Sequence, residues 1–350
     1  MLSTMIVGSL PKPSWLAPPQ QLYAPWRLEG DALREAQDDA VIVAISAQEQ
    51  ARLDIITDGE QRRRHYIWGF CEGLSGIDFS HLVQRQTRGG RYGTLVNVPR
   101  VVGPVRRQRP ILLEALQFVK QHTSKPVKVT LPGPMTATDT LADEHYRDRR
   151  TLAMALAEAL NAEACELAAH GCAIVQFDEP CFNIYLDEVE AWGIEALERC
   201  LRGVGCKKAV HICYGYGVPA VLRWKQRNTD WSRYHRSLPL LATSSVDQIS
   251  VECAASGVDP AVLARARGKD FMVGVIDAGT EAVETPERVA QRIRAALPYV
   301  APQHLYPCTD CGLVPRSRQA AYGKLRALVA GAQIVRQELR AKSLHAEERL

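Results

Sequence analysis

His211-Ile212-Cys213 lies near the middle of the chain and Asp310-Cys311-Gly312 near its end, with Glu252 closing the apolar run Gln248-Ile249-Ser250-Val251 between them. Together they offer one imidazole, two thiolates and a carboxylate, the ligand types that zinc takes. On a strand, residues i and i+2 project from the same face, so His211 and Cys213 form a chelating bite. Structural zinc sites usually gather Cys and His within a few tens of residues. Ligands spread over a hundred positions, as here, come instead from separate strand ends of a large scaffold. That spread points to a catalytic centre holding one Zn2+.

The composition suits an enzyme. With 350 residues, 46% of them hydrophobic, the chain can bury a substantial core. A net charge of +4 with the basic residues scattered leaves no nucleic-acid footprint; the densest cluster, Arg62-Arg63-Arg64, is too short to make one. No apolar run reaches the roughly 20 residues that span a bilayer, and Met1 to Leu10 lacks the charge and apolar core of an export signal. A cytoplasmic protein is expected, with most of its 10 cysteines reduced. Cys165, Cys172, Cys200 and Cys206 read as small core residues.

Eight β-rich apolar runs alternate with helical stretches: Thr4–Val7, Asp54–Thr57, Val127–Thr130, Ala173–Phe177, Ala209–Ile212, Ile249–Val251, Phe271–Val275 and His304–Tyr306. Eight such units predict an α/β fold of the (β/α)8 TIM-barrel type. Helices are expected over Ala32–Leu53, over Leu152–Ala169 ending at Gly171, and over Glu287–Leu297 after Pro286. Between residues 62 and 109, Gly89-Gly90-Arg91-Tyr92-Gly93 separates two alternating segments, the pattern of a hairpin inserted after the second strand. Tyr214 to Leu241 should hold one or two helices. The expected organisation is one domain, residues 1–340, with the 62–109 insertion and a tail at 341–350.

Placed on these strands, polar residues fall at their carboxyl ends: Gly8-Ser9, Asp58-Gly59-Glu60, Pro132-Gly133-Pro134, Asp178-Glu179-Pro180, His211 with Cys213, Glu252, Asp277 and Cys311. In (β/α)8 enzymes that face carries the active site.

These residues also carry a resemblance. Gly8-Ser9-Leu10-Pro11, Asp58-Gly59-Glu60, Leu131-Pro132-Gly133-Pro134, Gln176-Phe177-Asp178-Glu179-Pro180, His211-Ile212-Cys213-Tyr214 and Asp310-Cys311-Gly312-Leu313 resemble, in order, the catalytic domain of cobalamin-independent methionine synthase, MetE. The likeness runs from Met5 to about Glu338. It is closest to the shorter core group, whose chains begin at the catalytic barrel, and in Ser9 to Leu16 to its MesD-like members. The resemblance implies a barrel of the UROD/MetE-like type with His211, Cys213, Glu252 and Cys311 as zinc ligands, matching the set drawn from ligand chemistry. Cys308 has no ligand counterpart in the family, and Cys253 faces away from the site if Glu252 faces it.

The implied reaction is methyl transfer to the zinc-bound thiolate of L-homocysteine, making L-methionine. Zinc removes the thiol proton and leaves the sulfur nucleophilic, while Glu252, the hardest of the four ligands, is the one to yield to a third sulfur. Resemblance and charge logic together assign Glu60 and Asp178 to the substrate ammonium, and Ser9 with nearby backbone N–H groups to its carboxylate. One position departs from the family: where folate-using members carry a histidine two residues after Asp277, this chain has Gly279. Without that acid, free methyltetrahydrofolate is not the expected donor; a methylated corrinoid protein or an accessory protein stays open, and Asp277 is the remaining catalytic candidate. Two other readings remain: a corrinoid-dependent methyltransferase acting on another small thiol or selenol, and a non-catalytic zinc- or thiol-binding protein. A uroporphyrinogen-type decarboxylase shares the barrel and needs no thiolate ligands, so the His-Cys-Cys set argues against it.

Overall fold

Runs of apolar residues too short for helices become strands here, and the stretches between them become the helices that cover the sheet. The computed structural model describes residues 1–93 and 95–347, with side chains as far as Ser343. Its strands are β1 (Leu74–Gln86), β2 (Leu95–Arg107), β3 (Lys128–Pro132), β4 (Ala142–Asp143), β5 (Ile174–Asp178), β6 (Lys207–Ile212), β7 (Gln248–Val251), β8 (Asp270–Ile276) and β9 (Leu305–Thr309). Six of them form a parallel sheet in the order β3-β5-β6-β7-β8-β9. Every residue of β3, β5 and β7 is buried, as expected where helices cover a parallel sheet.

The first two expected strands are corrected. Neither Thr4–Val7 nor Asp54–Thr57 forms a regular strand: Val7, Asp54 and Ile55 lie in bends, and among the described residues the only strand-type pairing is a bridge from Ile56 to Val127. Side chains have taken over bonds that a regular ladder would make. Val7 N–H donates to Thr309 Oγ1 at 3.1 Å, Thr4 N–H to Asp54 Oδ2 at 2.7 Å, and Thr57 N–H to Gln48 Oε1 at 3.0 Å. Buried backbone groups must find partners, and Thr, Asp and Gln can supply them in place of a neighbouring strand. Some backbone bonds remain: Thr4 O accepts from Asp54 and Ile55, and Met5 N–H reaches Pro307 O.

Local chemistry sets the helix ends. The helix Arg149–Ala169 starts at Asp148, whose side chain accepts from Thr151 N–H at 2.7 Å. It stops before Gly171, which adopts φ +80°. Pro286–Ala296 begins with proline behind a Thr285 cap. The stretch after β6 holds two helices, Pro219–Arg227 and Tyr234–Ala242. The last helix, Arg318–Glu347, runs unbroken through most of the expected 341–350 tail; residues 348–350 lie outside the described residues.

The 62–109 insertion contains the hairpin. β1 and β2 pair antiparallel, and β4 adds to β2 in parallel. Its tip hangs over the strand ends: Arg88 N–H donates to Asp139 Oδ2 at 2.9 Å, Gly89 N–H to Tyr185 Oη at 2.6 Å, and Tyr92 Oη–H to Tyr214 O. All ten cysteines are free thiols. Among the described residues no helix is long and apolar enough to cross a membrane.

At the base of the hairpin, the fully buried carboxylate of Glu163 accepts from Arg107 Nε at 2.5 Å and from Leu112 N–H at 2.6 Å. Glu163→Leu should therefore destabilise the fold by roughly 3 kcal/mol, because Arg107 and two helix-start N–H groups lose a buried partner. A lowered midpoint in urea unfolding would show it.

Candidate active site

In-register pairing brings the chemistry together. Asp178 at the end of β5 stands beside His211 on β6, and His211 stands beside Ser250 on β7. Residues paired in register share a face, so these three side chains form a row. His211 Nδ1 and Ser250 Oγ are 2.8 Å apart. In the tautomer whose Nδ1–H donates to that hydroxyl, the lone pair of Nε2 is left free, and among the described residues Nε2 is buried without a hydrogen-bond partner of good geometry. An imidazole nitrogen so placed has the lone pair a metal ligand needs.

The two thiols complete it. Cys213 Sγ and Cys311 Sγ are 3.9 Å apart, and the donor atoms of His211, Cys213 and Cys311 all lie within 4.8 Å of one another. Two sulfurs at zinc bond length in a tetrahedral arrangement would be about 3.8 Å apart. The residues fit the metal. Hydrogen bonding from Cys311 holds the Cys213 thiol well below its ordinary range, with His211 and Lys225 helping against burial.

Glu252 is not part of this trio. Its wholly buried carboxylate accepts from Tyr214 N–H at 2.6 Å, from the hydroxyl of Tyr216 and from the Lys225 ammonium. Lys225 Nζ in turn lies 3.9 Å from the Tyr216 ring centroid. Asp310 supports the arrangement, accepting from the N–H groups of Cys253, Ala254 and Ala255 at 3.0, 2.9 and 2.6 Å and from Tyr216 Oη at 3.1 Å. Burial pushes its carboxyl up to about 7, with Glu252 adding. One carboxylate thus pins the loop that carries Glu252.

A cavity of about 580 Å³ opens in front of the thiols. Ser9, Glu60, Asp178, His211, Cys213 and Cys311 all line it. Glu60 has φ +57°, a conformation costly for a residue with a side chain. It is held there by its N–H to Asp58 Oδ1 at 2.9 Å and by Thr130 Oγ1 donating to its carboxylate at 2.9 Å. Asp178 accepts from Gln176 Nε2 at 2.7 Å. Burial raises the Asp178 carboxyl to about 7, with His211 opposing and Glu60 adding. Close approach explains two glycines: a Cβ at Gly8 would stand 2.6 Å from the Glu60 carboxylate, and one at Gly312 2.1 Å from Ser9 Oγ.

Asp277 is not brought into the cavity wall. Its Oδ1 accepts from Gly279 N–H at 2.6 Å and its own N–H donates to Glu284 at 2.8 Å, so it closes a turn. Sequence reasoning passed over Ser250, Lys225, Tyr216 and Lys12. Ser250 alone had a signal, since it shares a strand face with Glu252.

Residues 2–334 match the family described as the catalytic domain of cobalamin-independent synthase. The methionine synthase of Sulfurisphaera tokodaii is 33% identical over 343 residues, spanning 98% of this chain and 95% of the relative. That of Saccharolobus solfataricus is 33% identical over 346 residues, spanning 98% and 97%. Among solved structures, a B12-independent methionine synthase from a Shewanella species in complex with selenomethionine superposes with a TM-score of 0.95 at 48% identity, covering 97% of this chain and 99% of that one.

Ser250→Ala should weaken zinc binding by about 10- to 100-fold, because the imidazole loses the partner that fixes its tautomer. His211→Ala and Cys311→Ser should weaken it further. Chelator competition on purified protein measures both.

Proposed function

The chain belongs to the family of cobalamin-independent methionine synthase catalytic domains, and we propose how its residues divide the work of methylating homocysteine to methionine. The observation that carries this reading is a bare imidazole nitrogen and two thiols meeting two buried carboxylates in the wall of one cavity. His211, Cys213 and Cys311 would hold zinc. The metal supplies the positive charge that keeps the substrate thiol ionised at neutral pH while its sulfur remains nucleophilic.

Glu60 and Asp178 take the substrate ammonium. A bound ammonium favours the ionised form of Asp178 and offsets the desolvation acting on it. Ser9 and nearby N–H groups face the substrate carboxylate. Glu252 would be the fourth and exchangeable ligand, and Lys225, Tyr216 and the Tyr214 N–H would give its carboxylate partners when it is off the metal. The hairpin tip above the strand ends helps exclude water.

In finer architecture, we take the fold to be a (β/α)8 barrel of the UROD/MetE-like type. Hydrogen bonds linking Met5 to Pro307, Thr4 to Asp54 and Ile56 to Pro126 and Lys128 support closure of the parallel sheet on itself. The ten free thiols support a reducing, cytosolic setting.

Free methyltetrahydrofolate is not the donor in this reading, because its departing nitrogen needs a proton. Gly279 offers none, and a Cβ there would press on Asp277 Oδ1 at 3.0 Å and on Leu222 at 3.3 Å. A methylated corrinoid protein, or an accessory protein, takes its place.

The decisive experiment supplies zinc-loaded protein with homocysteine and a panel of donors. Methionine should form with a methylcorrinoid donor or an added partner, and only slowly with methyltetrahydrofolate alone; rapid turnover with methyltetrahydrofolate alone would overturn the donor assignment. Glu60→Gln or Asp178→Asn should remove a charged hydrogen bond of roughly 1.5 to 3 kcal/mol. Homocysteine affinity should fall about 10- to 100-fold by calorimetry, with zinc content unchanged.

A further inference from the structure

An amino acid binds as a zwitterion, and its carboxylate needs partners as much as its ammonium does when both leave water. The cavity offers Glu60 and Asp178 to the ammonium. Few of its cations are free for the carboxylate. Arg88 already donates to Tyr66 Oη at 3.0 Å and to Cys181 Sγ, and lies 3.8 Å from the Asp139 carboxylate. His65 is pushed down to about 3 by burial, with Arg88 and Lys12 adding, so its ring is neutral. His211 belongs to the metal trio.

Lys12 is different. It lines the same cavity, is only 5% exposed, and among the described residues makes neither a hydrogen bond nor an ion pair. Its ammonium lies 5.9 Å from the Trp26 ring centroid, a weak contact at best. Burial lowers its pKa to about 8, with Glu60 and Asp58 acting upward and Arg63 downward; at neutral pH it is still mostly charged. A buried cation without an anion is costly to keep, and a cavity wall that keeps one has a use for it when an anion arrives. Lys12 follows Ser9 by three positions, on the loop that also faces Glu60.

We propose that Lys12 anchors the α-carboxylate of the substrate amino acid, completing with Glu60 and Asp178 a pocket for the zwitterion. The proposal rests on the homocysteine reading and deepens it: Lys12 makes the site select amino-acid thiols over simple aminothiols.

The product, which has no ionisable thiol, provides a probe independent of turnover. L-methionine and 3-(methylthio)propylamine share the thioether and the amine, and only the first has a carboxylate. Calorimetry on the zinc-loaded wild type should show methionine binding more tightly than the amine. In Lys12→Met the affinity for methionine should fall about 10- to 100-fold, while that for the amine stays the same. Lys12→Arg should recover part of the preference, and the zinc content and thermal midpoint of both variants should match the wild type. Unchanged methionine affinity in Lys12→Met, or an equal loss for both ligands, would overturn the assignment. A wild type that bound neither methionine nor homocysteine would overturn the homocysteine reading beneath it.

Discussion

The 2.8 Å contact between His211 Nδ1 and Ser250 Oγ is the constraint around which the site is organised. A neutral imidazole has one donor and one acceptor nitrogen, and committing the first to a neighbouring strand leaves the second as a bare lone pair. That second nitrogen is buried beside two thiols. The contact depends on β6 and β7 pairing His211 with Ser250 in register. A shift of one residue would turn every side chain of the strand to the opposite face. Sheet register therefore decides whether the imidazole and the two thiols meet.

A second theme is the use of buried carboxylates as structural partners. Asp310 collects three consecutive N–H groups of the loop after β7. Glu179, wholly buried, accepts from Met135 N–H at 2.8 Å and from Thr136 N–H at 3.0 Å, fixing the start of the helix Pro134–Asp139. Both carboxyls are pushed up to about 7, burial being the first cause in each. Such groups are expensive to desolvate, and their hydrogen bonds fix the loops that present Glu252 and flank Asp178. The hairpin tip, tied to Asp139, Tyr185 and Tyr214, roofs these loops.

Much of this was readable in the chain itself. The six strands from β3 to β9 that form the parallel sheet, the helices between them and the hairpin follow from apolar run lengths, proline and glycine positions and capping residues, which act over a few neighbours. The His-Cys-Cys trio was legible for the same reason: soft ligands are rare enough for their types to identify them, and strand spacing places His211 and Cys213 on one face. Thr4–Val7 and Asp54–Thr57 read as strands because their composition is right. They are irregular segments whose backbone bonds go partly to Thr309, Asp54 and Gln48, partners the local sequence does not announce.

What only the tertiary structure decided is where each charge ends up. Ligand chemistry makes Glu252 a candidate ligand, and nothing in the local sequence marks Lys225; folding joins them in a buried pair between Tyr216 and Tyr214. Position after the seventh strand makes Asp277 a catalytic candidate, and folding engages its Oδ1 with the N–H of Gly279. Lys12 lies in the Ser9 to Leu16 stretch that carries the resemblance, but nothing in that stretch announces its place in the cavity wall, where among the described residues it makes neither a hydrogen bond nor an ion pair. Residue type and spacing determine what a side chain can do, because those are local properties. Whether a charge meets a metal, a counter-ion or open space depends on desolvation and on neighbours distant in sequence, and these exist only once the sheet has brought its strand ends together.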